Sequence, residues 1–375
     1  MGDRRKRRLN SVLLVGAQSL SPESPEIDES HITFRFQAEG RKLRRVALIQ
    51  ESHRPRRGPE LRPSAGNGWS LRRPRPPAAR MEYLLHLTYE DGREETTCDP
   101  ANPLRAPGPF GDKSVIEFPG YRKPSWLEKE DGLPRGHTSA ITLESRVLDT
   151  SVHATIWAVE GAGDGELLPL LVVHDGPEYA RYSGLLSLLD HMWSRGRLPR
   201  MRCALLAPIE RNEIYSASPG YARALAEEYL PALQAVIPAP SGRNARIGMG
   251  ASLGGLAMLH IHRVHPATFG ALFLQSGSFF RPRLDDQESS FPRFQRITSF
   301  TSTLDAGADW AHPVPITMTC GTLEENLHNN RRAKEDLARL GYQVCLVENP
   351  DAHNWVSWRD TLEPHLIDLL NGMWA

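Results

Sequence analysis

Gly250-Ala251-Ser252-Leu253-Gly254 is a G-x-S-x-G pentapeptide, set between an apolar run at 245–249 and a helical pattern at 256–264. A serine on a tight strand-to-helix turn needs small neighbours on both sides, and the turn presents its hydroxyl outward. The helix N-terminus that follows favours negative charge developing on a substrate oxygen. Ser252 is therefore a candidate nucleophile for acyl transfer. A serine hydroxyl attacks poorly until a base takes its proton, and the base needs an acid to orient it. On such a fold the chain order is serine, acid, histidine. His353, in Asp351-Ala352-His353-Asn354-Trp355, lies between the last apolar run and the terminal helix. Its loop is placed to bring the imidazole within hydrogen-bonding reach of Ser252. The acid should follow the preceding run, 316–320, where the chain reads Gly321-Thr322-Leu323-Glu324-Glu325-Asn326. Glu324 is the first choice, with Glu325 and Asp351 as alternatives.

An oxyanion hole needs two N–H donors. Leu253, directly after the serine, supplies one. The other is expected from His174-Asp175-Gly176-Pro177-Glu178-Tyr179. Pro177 has no N–H, which leaves Gly176, Glu178 or Tyr179, with Gly176 foremost. His260, His262 and His265 share the helical pattern after the serine, but residues two apart face different sides of a helix. No Cys or carboxylate at ligand spacing joins them, and neither a metal nor another cofactor is expected.

Two kinds of element surround these residues. Apolar runs without alternation, at 167–173, 203–209, 246–249, 271–274, 316–320 and 344–347, suit strands buried on both faces of a parallel sheet. Helical patterns lie between them. One covers 221–233, after Ser218 as N-cap and Pro219 at the first helical position, and another covers 331–340, stopped by Gly341. Strands alternating with helices make a doubly wound, mostly parallel α/β domain over 139–375. The front of the chain has a period of two instead. Ile32, Phe34 and Phe36 alternate with Thr33, Arg35 and Gln37, and 43–50 and 81–89 are similar. Glu90-Asp91-Gly92-Arg93 carries hairpin-turn chemistry, and the Pro-, Gly- and Arg-rich stretch 55–77 reads as loop. A small β-sandwich over 26–120 follows, with a disordered basic head at 1–25 and a linker at 121–138.

The 375 residues hold 45 Lys and Arg against 45 Asp and Glu, so no net charge points to nucleic acid. Residues 1–110 carry 20 basic against 14 acidic side chains, leaving 25 against 31 beyond. The basic residues cluster at 4–8, 41–45, 54–57 and 72–75, a solvated surface or a field for an anionic ligand. No apolar run reaches the roughly 18 residues of a membrane span. Four cysteines are too few for a disulfide scaffold, and Cys203, Cys320 and Cys345 sit in apolar runs as core thiols. The start lacks the apolar stretch and cleavage site of a leader, so a cytoplasmic location is expected.

With these residues in hand, the chain resembles the enterochelin (enterobactin) esterase family of esterase-D-like α/β-hydrolases. The motifs that carry the resemblance are His174 to Tyr179, Gly250 to Gly255, Gln275-Ser276-Gly277-Ser278-Phe279, and His353-Asn354-Trp355 followed by Trp358-Arg359. Arg211-Asn212-Glu213-Ile214-Tyr215-Ser216 is similar to the family's active-site rim. Asp99-Pro100-Ala101-Asn102-Pro103 and Phe110-Gly111-Asp112-Lys113-Ser114 resemble the close of its immunoglobulin-like N-terminal domain. The resemblance implies hydrolysis, in the cytoplasm, of the ester bonds of a catecholate siderophore to release iron. It implies Ser252, Glu324 and His353 as the triad, and Asp175, Glu178, Arg211, Tyr215 and Trp355 as substrate contacts. Asp351-Ala352-His353-Asn354 differs from the family's usual Gly-Gly-His-Asp, and Pro177 stands where relatives have an N–H. The implied partner is a small-molecule ester, with no nucleic acid and no membrane. Two other readings stand beside it. One is a general esterase of feruloyl or acetyl type whose front domain binds carbohydrate, although Trp69 is the only tryptophan there. The other is a catalytically silent binding protein on a hydrolase fold.

Overall fold

The computed structural model describes residues 25–51, 57–128, 132, 134–306 and 312–375. The expected basic head, apart from Pro25, and parts of the expected linker and of the basic cluster 54–57 lie outside the described residues.

Residues 26–117 form two antiparallel sheets. One has the order Glu26–Ile27, His31–Gln37, Gly68–Pro74, Arg62–Ser64. The other runs Arg57–Glu60, Leu43–Gln50, Arg80–Tyr89, Lys113–Glu117, Arg105–Ala106, with Glu94–Thr97 also paired to Arg80–Tyr89. The period of two places Ile32, Phe34 and Phe36 on an inner face, where they meet Val46, Leu48, Leu85 and Leu87. The stretch expected as loop, 55–77, holds three strands instead. Pro59 and Pro63 lie on edge strands, where a missing N–H costs no ladder bond. Trp69 and Leu71 give the stretch an apolar anchor on the sandwich core.

The rest of the chain is an α/β-hydrolase built on an eight-stranded sheet. Its order is His137–Ser145, Thr150–Ala158, Arg202–Leu206, Leu170–Val173, Arg246–Ala251, Ala271–Gln275, Pro315–Gly321, Gln343–Asn349. Thr150–Ala158 is antiparallel to both its neighbours, and the remaining pairs are parallel. Successive residues of one run enter opposite layers: Leu170 and Val172 pack with Leu256 and Leu259, Leu171 and Val173 with Leu188 and Leu366. A strand covered on both sides has no polar face to alternate with, which is why these runs are continuous. Cys345 departs from the expected burial. It is exposed on the outermost strand, while Cys203 and Cys320 are buried.

Ser218 caps the helix Pro219–Ala224, accepting from the Tyr221 N–H. The expected single helix over 221–233 is not uniform. A π-helical stretch at Leu225–Tyr229 leads into Leu230–Val236. Pro231 lacks the N–H that an α-turn would need, and the wider turn before it accommodates the ring. The helix Leu327–Arg339 ends before Gly341, whose φ of 87° supplies the left-handed stop.

Sandwich and hydrolase are fastened together. The Ala79 N–H donates to the Pro350 carbonyl at 2.7 Å, Tyr121 Oη donates to Asp360 at 2.7 Å, and Leu323 packs on the sandwich core. Among the described residues no helix is long and apolar enough to cross a membrane.

Candidate active site

Every candidate catalytic side chain follows a core strand at its C-terminal end, where open α/β sheets place their clefts. Ser252 follows Arg246–Ala251, Glu324 follows Pro315–Gly321 and His353 follows Gln343–Asn349. Ser252 is held at φ 56° and ψ −124°, a conformation that costs energy and aims its side chain out of the turn. The turn closes only because Gly250 has no side chain, since a Cβ there would lie 2.5 Å from the Gly254 backbone. Asp175 and Ser276, on neighbouring strand ends, also have positive φ.

Glu324 reaches the imidazole: its Oε2 lies 2.7 Å from His353 Nδ1. Its other oxygen accepts from Ser276 Oγ at 2.6 Å and from the Gly321 N–H at 2.8 Å. Trp358 Nε1 donates to the same Ser276 hydroxyl at 2.9 Å, and its ring stands edge-on to His353. Three hydrogen bonds and a ring thus fix the carboxylate and the imidazole. Glu325 is exposed. Asp351 points the other way, to Arg80, the Ala352 N–H and Asn354, so it braces the base loop. Ser252 and His353 line the same cavity of about 340 Å³. Here, however, the Ser252 hydroxyl is hydrogen-bonded to Ser278 Oγ at 3.1 Å and not to His353. Ser278 follows the adjacent strand, and its N–H donates to the Ser252 carbonyl at 3.1 Å, which brings the two hydroxyls together.

Leu253 and Gly176 each occupy the first position of a helix, where the N–H has no partner within the helix. Tyr179, an alternative donor, spends its N–H on the Asp175 carbonyl at 2.9 Å. A Cβ at Gly176 would sit 2.4 Å from the Leu205 backbone, so only glycine lets this helix start so close to the neighbouring strand.

Of the expected substrate contacts, Asp175, Glu178, Arg211 and Trp355 line the cavity. Tyr215 does not. It is fully buried and stacks on His174 with ring centroids 4.4 Å apart, so it supports the floor. Arg211, expected as a substrate contact, is also matched within the chain: its Nε and Nη2 each lie 2.8 Å from an Asp175 oxygen. The sandwich supplies the remaining wall through the loop 106–111 and Glu51, Glu82 and Lys113, none of which the sequence singles out for this place.

His174 lies beneath the floor, between the Gly254 carbonyl at 3.1 Å and Tyr221 Oη at 2.8 Å. Burial lowers its pKa to about 3. The folded state therefore binds fewer protons than the unfolded chain between about pH 6.5 and 3. Stability from this group is full above that window and falls with pH through it, by about 1.4 kcal/mol per pH unit. Urea unfolding of wild type and His174→Gln at pH 7 and pH 4.5 should show a smaller acid loss in the variant, by about 2 kcal/mol. Equal acid losses in the two proteins would mean that His174 does not titrate with unfolding.

Nothing in the sequence singles out Arg80. It is 2% exposed and donates to Glu82 at 2.9 Å, Asp351 at 3.1 Å and Asn354 at 3.0 Å. One sandwich side chain thus anchors both flanks of His353. No local pattern marks its link to the base loop, because Asp351 and Asn354 lie 271 and 274 residues further on.

The Esterase family model matches residues 163–369, more than half of the chain. The chain belongs to the esterase family. The iron(III) enterobactin esterase of Dickeya dadantii is 24% identical over 290 residues, which are 73% of this chain and 66% of that protein. The protein of the same name from Escherichia coli strain CFT073 is 25% identical over 281 residues, 73% of this chain and 68% of the relative. The chain thus spans about two thirds of the length of these curated relatives. An enterobactin esterase from Shigella flexneri, solved in the presence of enterobactin, superposes with a TM-score of 0.74 at 21% identity. The superposition covers 96% of this chain and all of that one. A ferulic acid esterase gives a TM-score of 0.54 at 17% identity, with 99% of its chain on 64% of this one. At these identities the structural likeness is one of fold.

Proposed function

We propose that the chain is a serine ester hydrolase in which Ser252 is the nucleophile, His353 the general base and Glu324 its orienting acid. The observation that carries this reading is the 2.7 Å contact between buried Glu324 and His353, opening on the cavity that Ser252 also lines. With Nδ1 held as donor to the carboxylate, Nε2 is left bare to take the Ser252 proton once the hydroxyl leaves Ser278. Oγ then attacks the ester carbonyl, and the oxyanion is received by the Leu253 and Gly176 N–H groups. Collapse breaks the bond to the leaving alcohol, which takes the proton back from His353. Water, deprotonated by the same imidazole, releases the acid from the acyl-enzyme.

The substrate class proposed is a catecholate siderophore ester, hydrolysed in the cytoplasm to release iron. The relatives' names support it, as does an exposed Phe110 that lines the cavity with Trp355 and Trp358, apolar surface suited to aryl groups. Purified protein should cleave a catecholoyl-serine ester with a higher kcat/KM than feruloyl or aryl acetate esters. Equal turnover of all three would move the assignment to a general carboxylesterase.

A further inference from the structure

The turn 276–278, which follows the strand Ala271–Gln275, touches both ends of the proposed triad. Ser276 Oγ donates to Glu324 Oε1 at 2.6 Å, and Ser278 Oγ lies 3.1 Å from Ser252 Oγ. The turn itself is pinned. The Gly277 N–H donates to Asn330 Oδ1 and the Gly277 carbonyl accepts from Asn330 Nδ2, both at 3.0 Å. Asn326 Nδ2 donates to the Ser276 carbonyl at 2.8 Å, and both asparagines are buried. Ser252 is also held at its backbone: its N–H donates to the Gln275 carbonyl at 2.9 Å, and its carbonyl accepts from the Ser278 N–H at 3.1 Å. Its hydroxyl keeps one freedom, rotation among staggered χ1 positions. The position it occupies sets it on Ser278, which is buried and whose hydroxyl has no other hydrogen-bond partner among the described residues. With no base behind it, Ser278 cannot carry the proton further.

We propose that Ser278 is a positioning residue, a latch that holds the Ser252 hydroxyl off His353 in the free enzyme. On one turn, Ser276 keeps the acid ready for the base while Ser278 keeps the nucleophile apart from it. Whichever hydroxyl donates, the bond between them is lost when Ser252 turns to His353 Nε2. Acylation therefore starts from the released position, and its rate is lowered by the fraction of molecules that occupy it. One neutral hydrogen bond makes that factor about two- to tenfold. Once Oγ is esterified, the acyl group fixes its position and the latch has nothing to hold. Ser278 thus acts on acylation and not on deacylation. The inference rests on the ester-hydrolase reading of Ser252 and His353.

The test compares wild type with Ser278→Ala in two steps measured separately. Mass spectrometry follows labelling of Ser252 by phenylmethylsulfonyl fluoride in the absence of substrate. A quenched-flow mass measurement follows loss of the acetyl group from the acetyl-enzyme formed with 4-nitrophenyl acetate. Ser278→Ala should be labelled about two- to tenfold faster than wild type, with an unchanged deacylation rate. Ser278→Thr, which keeps a hydroxyl at the position, should return labelling toward the wild-type rate, and labelling as fast as in the alanine variant counts against the latch. A Ser278→Ala labelling rate at or below that of wild type overturns the proposal. So does a deacylation rate that changes by the same factor as labelling, because a loosened or damaged site moves both. Failure of the hydrolase reading looks different: Ser252 is then labelled in no variant and not in the wild type, and the latch falls with it.

Discussion

Ser252→Ala is expected to fold normally and to lose ester hydrolysis by about 10³-fold or more. Alanine meets the same backbone demand at φ 56° as serine does, so the turn should survive. The lost methylene-bound hydroxyl is the only atom of the site proposed to form the acyl bond. Water can attack in its place only through the oxyanion donors and the base, which accounts for a small residual rate. Mass spectrometry after reaction with an organophosphonate should find the adduct on Ser252 in the wild type and none in the variant. If Ser252→Ala kept most of the wild-type activity, the proposed mechanism would fail, and Ser278, the hydroxyl beside it, would become the residue to test.

The second large effect is expected at Arg80. Its guanidinium is enclosed and holds two carboxylates from different parts of the fold. Burial works against its charge, but the Asp351 and Glu82 carboxylates outweigh that desolvation and raise its pKa. Removing one partner from a buried ionic group leaves the other uncompensated, at a cost of about 3–5 kcal/mol. Arg80→Met should therefore lower the unfolding free energy by that amount, read as a lower urea midpoint at unchanged m-value. Because the same arginine steadies Asp351 and Asn354 around the base, kcat should fall at temperatures where the variant is still folded, with KM for a small aryl acetate nearly constant. Adding Asp351→Asn should recover part of the stability, since the stranded carboxylate is then gone. A variant with wild-type midpoint and kcat would show that Arg80 neither fastens the sandwich nor positions His353.

What the sequence disclosed of this site follows from how local each constraint is. The turn at Ser252 is set by glycines within two residues of it, so five letters announce it. Glu324 and His353 could be singled out as candidates because each lies just past a continuous apolar run, and the run marks the strand end. The depth of a side chain is less legible. Tyr215 sits in the same short segment as Arg211, yet one is packed under His174 and the other faces the cavity. Only the stacking partner, some forty residues earlier, decides between them. Charge pairing is hidden in the same way. Arg211 and Asp175 are far apart in the chain and look like two independent binding groups until their bidentate contact is seen. The strands within 55–77 were masked by prolines, whose effect depends on whether a strand lies at an edge.

The loop 106–111 has one more consequence. It hangs from the strands Arg105–Ala106 and Lys113–Glu117 of the sandwich, yet it borders the chamber where the acyl group must sit. The proposed catalytic side chains and this part of the cavity wall therefore belong to different sheets of the fold. A change in length or composition of this loop alters the aperture without disturbing Ser252, Glu324 or His353, whose supports lie in the hydrolase and at Arg80. On the proposed mechanism, substrate scope would drift by insertion, deletion or exchange at one hairpin while the chemistry stays constant. For the engineer the same division makes the sandwich loop, and not the catalytic turn, the place to build a library.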